Sequence, residues 1–156
     1  MYFVDQKRIS EIAHFMEQQL AELDTITESR LPMAKLALER IAEVLIEAVL
    51  DAGHLLIDGF VMRDAGSYED ILDILLDEQV IEAEEHGKLI SLIMLRAEIV
   101  REYTAIDHKN IKNVLMSARQ ALAAYPKRII KYLAKETEVA HAFGDKIIRK
   151  EKREAE

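Results

Sequence analysis

Residues 89–108, LISLIMLRAEIVREYTAIDH, decide the fold. Leu89 to Leu95 is apolar at every position but Ser91. A surface helix buries a stripe only a little over 100° wide, so a helix apolar nearly all round must be covered on more than one side. The cover is either the rest of a helical bundle or a second subunit. Two arginines, a tyrosine and a histidine follow where that segment ends, which is where a site would sit. At about 100° per residue, a continuing helix puts Arg96 and Tyr103 on one face and Arg101 and His108 on another, about 140° away. One subunit then gathers all four only if the helix ends near Tyr103 or a second copy contributes. Spacing alone equally describes a solvated face with snorkelling arginine stems and a capping tyrosine.

Outward from this stretch the chain reads as helices. Asp5 is placed to cap a first helix to about Asp24, with Ile9, Ile12, Ala13, Met16, Leu20 and Leu23 on one stripe. After the polar turn TITESR, Pro32 suits the first turn of a second helix reaching Phe60 or Met62. Gly53 and Gly59 interrupt it mildly, and glycine in a long helix often marks close approach of another helix. Turn residues at Asp64 to Gly66 precede a short helix from Tyr68 to about Glu78, with Ser67 and Asp70 as a capping box. A fourth helix starts near Glu82 and carries LISLIML into the stretch above. A fifth follows Asp107 to about Lys135, where Pro126 should kink or break it after Tyr125. The expected architecture is all-α: an up-and-down bundle of four long helices and one short one, dimeric through its apolar fourth helix. One domain over 1–140 and a charged tail over 141–156, frayed or projecting as an exposed helix, complete it.

Composition agrees and excludes much else. The 156 residues are half apolar, with five glycines, two prolines and no cysteine. That composition favours helix and rules out a disulfide framework or thiolate metal site. MYFVDQKR has no apolar run behind its charges, and no stretch approaches the ~20 residues of a membrane span. A soluble, cytoplasmic protein with no membrane association is expected. The net charge of −8 argues against coating nucleic acid by bulk charge. Its distribution says more: residues 64–85 hold nine acidic and no basic residues, whereas residues 96–135 hold nine Lys or Arg against three acidic.

No phosphate loop, His-Glu-x-x-His, nucleophile elbow or internal repeat is present. Two spacings could hold a metal, His54 with Asp58 and the trio Asp70, Asp73 and Asp77, but neither has the further ligands a site needs. The first is more simply a partly buried histidine bonded to a carboxylate. Neither metal nor cofactor is expected.

The run from AVLDAGHLLIDGF through GSYEDILDILLDEQVI to LISLIMLRAEIVREYTAID resembles the HepT-like branch of the HEPN superfamily. These are small all-helical proteins often paired, as toxins, with a minimal nucleotidyltransferase antitoxin. The resemblance spans residues 38–108, with helical continuation to about 135. Its most specific element is the pattern Arg-Asn-x-x-x-His-x-Tyr, often followed by Ile-Asp. Here Arg96, Tyr103, Ile106 and Asp107 match, while Ala97 stands for the Asn and Arg101 for the His.

The resemblance implies a metal-independent ribonuclease site in which the 2′-hydroxyl of single-stranded RNA attacks the adjacent phosphate. Arg96 would steady the phosphate and a histidine would move the proton. Arg101 binds phosphate but cannot shuttle a proton, because guanidinium does not deprotonate at usable pH. His108 satisfies the looser superfamily spacing of Arg, four to six residues, then His, counted from Arg101, and is the candidate replacement. Tyr103 is the implied acceptor of adenylyl groups. The expected protein is thus a homodimeric relative of toxin ribonucleases with reduced or lost activity. The alternative is a non-catalytic module that dimerises and engages a nucleotidyltransferase or another protein.

Overall fold

The computed structural model describes residues 4–155, with side chains described for residues 4–136. Six helical segments follow in order: α1 (Gln6–Ile26), α2 (Met33–Gly59), α3 (Tyr68–Asp77), α4 (Ala83–Ile93), α5 (Leu95–Arg101) and α6 (His108–Ala155). Asp5 caps α1 by accepting the Arg8 N–H at 2.9 Å, and the apolar stripe read in the sequence is the face α1 buries. Pro32 stands at the N-cap of α2, one step earlier than the first helical turn.

Side-chain crossings fix the directions. The end of α1 lies beside the start of α6, where Lys112 donates to the Thr27 carbonyl at 2.7 Å and Arg119 pairs with Asp24. Along α2 and α6, Glu39 faces His108 and Val49 faces Tyr125, so these two run parallel. Glu85 on α4 meets Arg128 while Lys88 meets Ser117, so α4 runs against α6. The legs α1, α2, α4 with α5, and α6 therefore alternate in direction, and α3 packs between α2 and α4. This is the expected up-and-down bundle of four long elements and one short one. The third leg divides into α4 and α5 at Met94, whose own backbone keeps helical dihedrals (φ −64°, ψ −22°).

The core is drawn from every leg: Leu23, Leu45, Ile46, Leu56, Leu72, Leu75, Leu89, Leu92, Ile111, Leu115 and Leu122 are essentially sealed from solvent, and no charged residue is buried among the described side chains. Gly53 is where α2, α3 and α6 approach most closely. A Cβ there would stand 2.8 Å from Ile71 Cγ2 and 3.0 Å from the Tyr125 hydroxyl. That hydroxyl donates to the Val49 carbonyl at 2.7 Å, so the buried phenol is satisfied.

Two helices end with a residue other than glycine in the left-handed position. Beyond α2, the Met62 N–H returns to the Ile57 carbonyl and that of Val61 to Asp58. Beyond α3, Val80 returns to Leu75 and Gln79 to Leu76. Both are Schellman endings, which place Val61 (φ 52°) and Gln79 (φ 60°) in the left-handed region.

Of the kink or break expected at Pro126, the break is absent: α6 runs through it as one helix. Tyr125, Pro126, Ile129 and Leu133 are all buried, so the same apolar seam holds the helix on both sides of the missing N–H. The backbone of α6 continues as helix to Ala155, so the expected tail is at least helical, while its side chains lie outside the described residues.

Candidate functional site

The chain leaves helix α5 after Arg101, earlier than the uniform helical reading assumed. The Glu102 N–H still bonds to the Glu98 carbonyl, but Glu102 itself has left helical geometry. A turn follows, closed by the Ala105 N–H on the Glu102 carbonyl at 3.0 Å, with Tyr103 and Thr104 at its tip. Glu98 ties the far side of the loop by accepting the Asp107 N–H at 2.9 Å. Asp107 then caps α6 through the Asn110 N–H at 3.1 Å. Ile106 is half-buried and anchors the corner to the core.

This corner changes the expected alignment of the four site residues. Arg96, in the first turn of α5, reaches across to α2 and the start of α3 while staying part-exposed: its Nε donates to Glu47 Oε1 of α2 at 2.7 Å, and its guanidinium carbon lies 4.8 Å from the centroid of the Tyr68 ring. The Glu47 hydrogen bond holds the Arg96 pKa above its ordinary value, with the nearby charges of Glu47, Tyr68 and Glu43 acting in the same sense against partial desolvation. Arg101 is exposed at the end of α5. Tyr103 is outside the helix and 71% exposed, so it does not share a helical face with Arg96. Among the described residues no hydrogen bond or ion pair joins the two.

His108 opens α6 rather than extending the helix of Arg101, so the shared face expected for that pair is absent too. Its Nε2 is buried, 3.5 Å from Glu39 Oε2, and makes no hydrogen bond. Of the nearby cations, Lys109 is exposed, whereas Lys112 is committed to the carbonyl at the end of α1. That contact is a favourable one for a cation at a helix C-terminus.

The acidic segment is less bare than its sequence suggests. Asp70 receives a bidentate pair from Arg63, at 2.7 Å to each oxygen, and the Gly66 N–H at 2.8 Å. These bonds lower its pKa to about 2, with Arg63 the larger cause. The expected capping box is therefore half made: Ser67 accepts the Asp70 N–H, but the Asp70 carboxylate turns to Arg63. Asp73 holds His86 Nε2 at 2.7 Å and Arg128 bridges Glu82 and Glu85. Of the trio, Asp70 and Asp77 thus share Arg63, the latter at 3.9 Å, and Asp73 is hydrogen-bonded to His86. Among the described residues no group of three or more His, Asp or Glu is placed to hold a metal. His54 and Asp58 do pair, at 3.4 Å, but on the open surface rather than partly buried.

The ribonuclease HepT-like family model matches residues 6–129, from the start of α1 to the buried seam of α6. The chain belongs to the HepT-like ribonuclease family. Within it, the chain is 43% identical over 143 residues to "Putative RNase YutE" of Bacillus subtilis (strain 168), covering 92% of this chain and 99% of that protein. A solved structure of YutE, described as a cytosolic protein of unknown function, superposes with a TM-score of 0.84 over 87% of this chain and 95% of that one. The HepT-like fold thus accounts for the whole bundle. Among the described residues no helix is long and apolar enough to cross a membrane.

In this HepT-like chain, sequence reasoning missed Glu47 and Tyr68. Glu47 is separated from Arg96 by half the bundle, and Tyr68 stands out in the sequence only as the start of a short helix. No local pattern ties either to the motif arginine; only the packing of α2 and α3 against α5 does. A groove of about 530 Å³ between α1 and α2, lined by Ile12, Phe15, Val44 and Ala48, reaches Glu47 from its other side and includes none of Arg101, Tyr103 or His108.

Proposed function

We propose that this HepT-like protein is a homodimer that binds single-stranded RNA at the α5–α6 corner and cleaves it weakly or not at all, with Tyr103 as the adenylyl acceptor of a partner minimal nucleotidyltransferase. The observation that carries the reading is the corner itself. In a chain of a ribonuclease family, it presents Arg101 and Tyr103 to solvent directly after a motif arginine held by the bundle.

The chemistry of the residues sets the limit on cleavage. Attack by a 2′-hydroxyl needs a group that accepts and returns a proton near neutral pH. Arg101 stands where the family carries that group and stays protonated. His108, the nearest imidazole in sequence, has its Nε2 buried 3.5 Å from Glu39 Oε2, in a side chain that is 28% exposed overall. These facts favour binding over catalysis, so catalytic roles for Arg96, Arg101 and His108 reduce here to phosphate contacts by the two arginines. The second reading, a binding and regulatory module, differs only in what the corner engages, and the same two observations favour it.

Dimerisation is supported by what the third leg leaves uncovered. Within one subunit Leu89, Leu92, Ile93 and Leu95 are buried, but Met94 is 63% and Val100 44% exposed, and both stand on the side of α4 and α5 turned from the core. Adenylylation is supported by the exposure of Tyr103: its phenol oxygen is open to attack the α-phosphorus of ATP, with pyrophosphate leaving and the phenol proton passing to solvent.

Fluorescence anisotropy of a labelled single-stranded RNA across a salt series tests the reading. Binding should weaken linearly in log–log form, and removing Arg101 should lower the slope by about 0.7, the value for one phosphate contact on a single strand. Affinity that is absent at low salt, or unchanged by salt and by loss of Arg101, contradicts it.

A further inference from the structure

We propose that Glu47 and Tyr68 are positioning residues that present the Arg96 guanidinium as a fixed fork for a phosphodiester, an inference that rests on the RNA-binding reading above. A guanidinium has five N–H donors. Glu47 takes the one on Nε, at 2.7 Å, and among the described residues the two Nη nitrogens are left unengaged. The Arg96 guanidinium carbon lies over the Tyr68 ring, 4.8 Å from its centroid, and Tyr68 is 51% exposed. The hydrogen bond to Glu47 and the ring beneath the guanidinium carbon together restrict where the guanidinium sits.

What remains free is the Nη edge, the part of arginine that matches two phosphate oxygens at once. The negative charge of Glu47 opposes phosphate binding, whereas its hydrogen bond favours it, and the two effects separate by substitution. Glu47→Gln and Glu47→Leu remove the same charge, but only Gln keeps an oxygen that can accept from Nε. Tyr68→Phe keeps the ring and Tyr68→Leu does not.

The test is RNA affinity of these four variants by anisotropy, with thermal midpoints recorded alongside. Glu47→Gln should bind at least about threefold tighter than Glu47→Leu. Tyr68→Phe should match the wild type, and Tyr68→Leu should bind about two- to fivefold more weakly, the fold-change expected for an exposed cation–π contact. If Glu47 and Tyr68 only join α2 and α3 to α5, the two members of each pair will differ in thermal midpoint and not in RNA affinity, which overturns the proposal.

Should the wild type bind no RNA, the reading of function fails by itself, and the clamp is decided by nitrogen-edited NMR of the arginine side chains with pyrophosphate as the anion. A distinct, slowly exchanging Arg96 Nε–H that persists in Glu47→Gln, vanishes in Glu47→Leu and has Nη signals moved by pyrophosphate supports it. An Arg96 Nε–H that exchanges like those of exposed arginines in the wild type, or Nη signals that pyrophosphate leaves unmoved, overturns it.

Discussion

Replacing Gly53 with alanine should destabilise the protein, although alanine is the better helix former. Gly53 lies inside α2, where the exchange alone should gain about 1 kcal/mol. Against that stands the geometry of the crossing. The new methyl would meet Ile71 Cγ2 at 2.8 Å, the Tyr125 hydroxyl at 3.0 Å and Leu75 Cδ1 at 3.3 Å. The first is a branched carbon of a buried side chain on α3, with little room to retreat. Overpacking of this kind costs about 1–3 kcal/mol. If the phenol yields instead, its bond to the Val49 carbonyl is stretched, and leaving a buried hydroxyl unsatisfied costs a further ~1–3 kcal/mol. Set against the gain of about 1 kcal/mol, the two costs together leave a net loss of about 1–5 kcal/mol. At about 2–4 °C per kcal/mol for a chain of this size, the melting temperature should fall by roughly 2–20 °C.

Urea and thermal unfolding at one fixed protein concentration measure this directly, the fixed concentration being needed because association shifts apparent stability. The double variant with Tyr125→Phe supplies a control. It removes the oxygen 3.0 Å from the new methyl, so the two losses should sum to less than their separate values by about 0.5 kcal/mol or more. A Gly53→Ala protein as stable as the wild type would refute the claim that α2, α3 and α6 are in limiting contact there.

Four further outcomes follow from the same structure. Val61→Gly should stabilise by about 1 kcal/mol in chemical denaturation, because Val61 is exposed and holds a left-handed φ of 52° in which a β-branched side chain is strained; an unchanged or lower midpoint contradicts the Schellman ending. Asp70 has its folded pKa lowered to about 2, so the advantage of wild type over Asp70→Asn should be full above about pH 4 and shrink as pH falls toward 2, read from urea midpoints; an advantage that grows on acidification has the wrong sign. Light scattering at micromolar concentration should give about twice the subunit mass of 17.9 kDa, and Met94→Glu should lower it toward the monomer value; a wild-type monomer refutes dimerisation. With its cognate nucleotidyltransferase and ATP, the wild type should gain one adenylyl mass that Tyr103→Phe does not; modification at another residue refutes the assignment.

Much of the fold was legible because the core stripes repeat at helical spacing and three helices carry a side-chain cap at their start, Asp5, Ser67 and Asp107. The break allowed for at Pro126 does not occur, because the buried seam that continues past it was not weighed against local propensity. The end of α5 could not be read, since residues 95–101 include Leu, Arg, Ala and Glu, good helix formers with no breaker after them. The helix stops there because Glu98 and Asp107 close the loop across the chain. That stop undid the seven-residue face shared by Arg96 and Tyr103. The motif could be found in sequence by resemblance, but the partners that give Arg96 its orientation come from α2 and the start of α3, and only packing brings them together.

The most direct measurement of the central claim is metal-free cleavage of single-stranded RNA by the wild type, Arg101→His, His108→Ala and Arg96→Ala, read as rates across pH. A corner that binds but lacks a titrating group predicts little cleavage by the wild type, no effect of His108→Ala, and a gain in Arg101→His that follows a group titrating near neutrality. Robust wild-type cleavage that survives loss of His108 would contradict it.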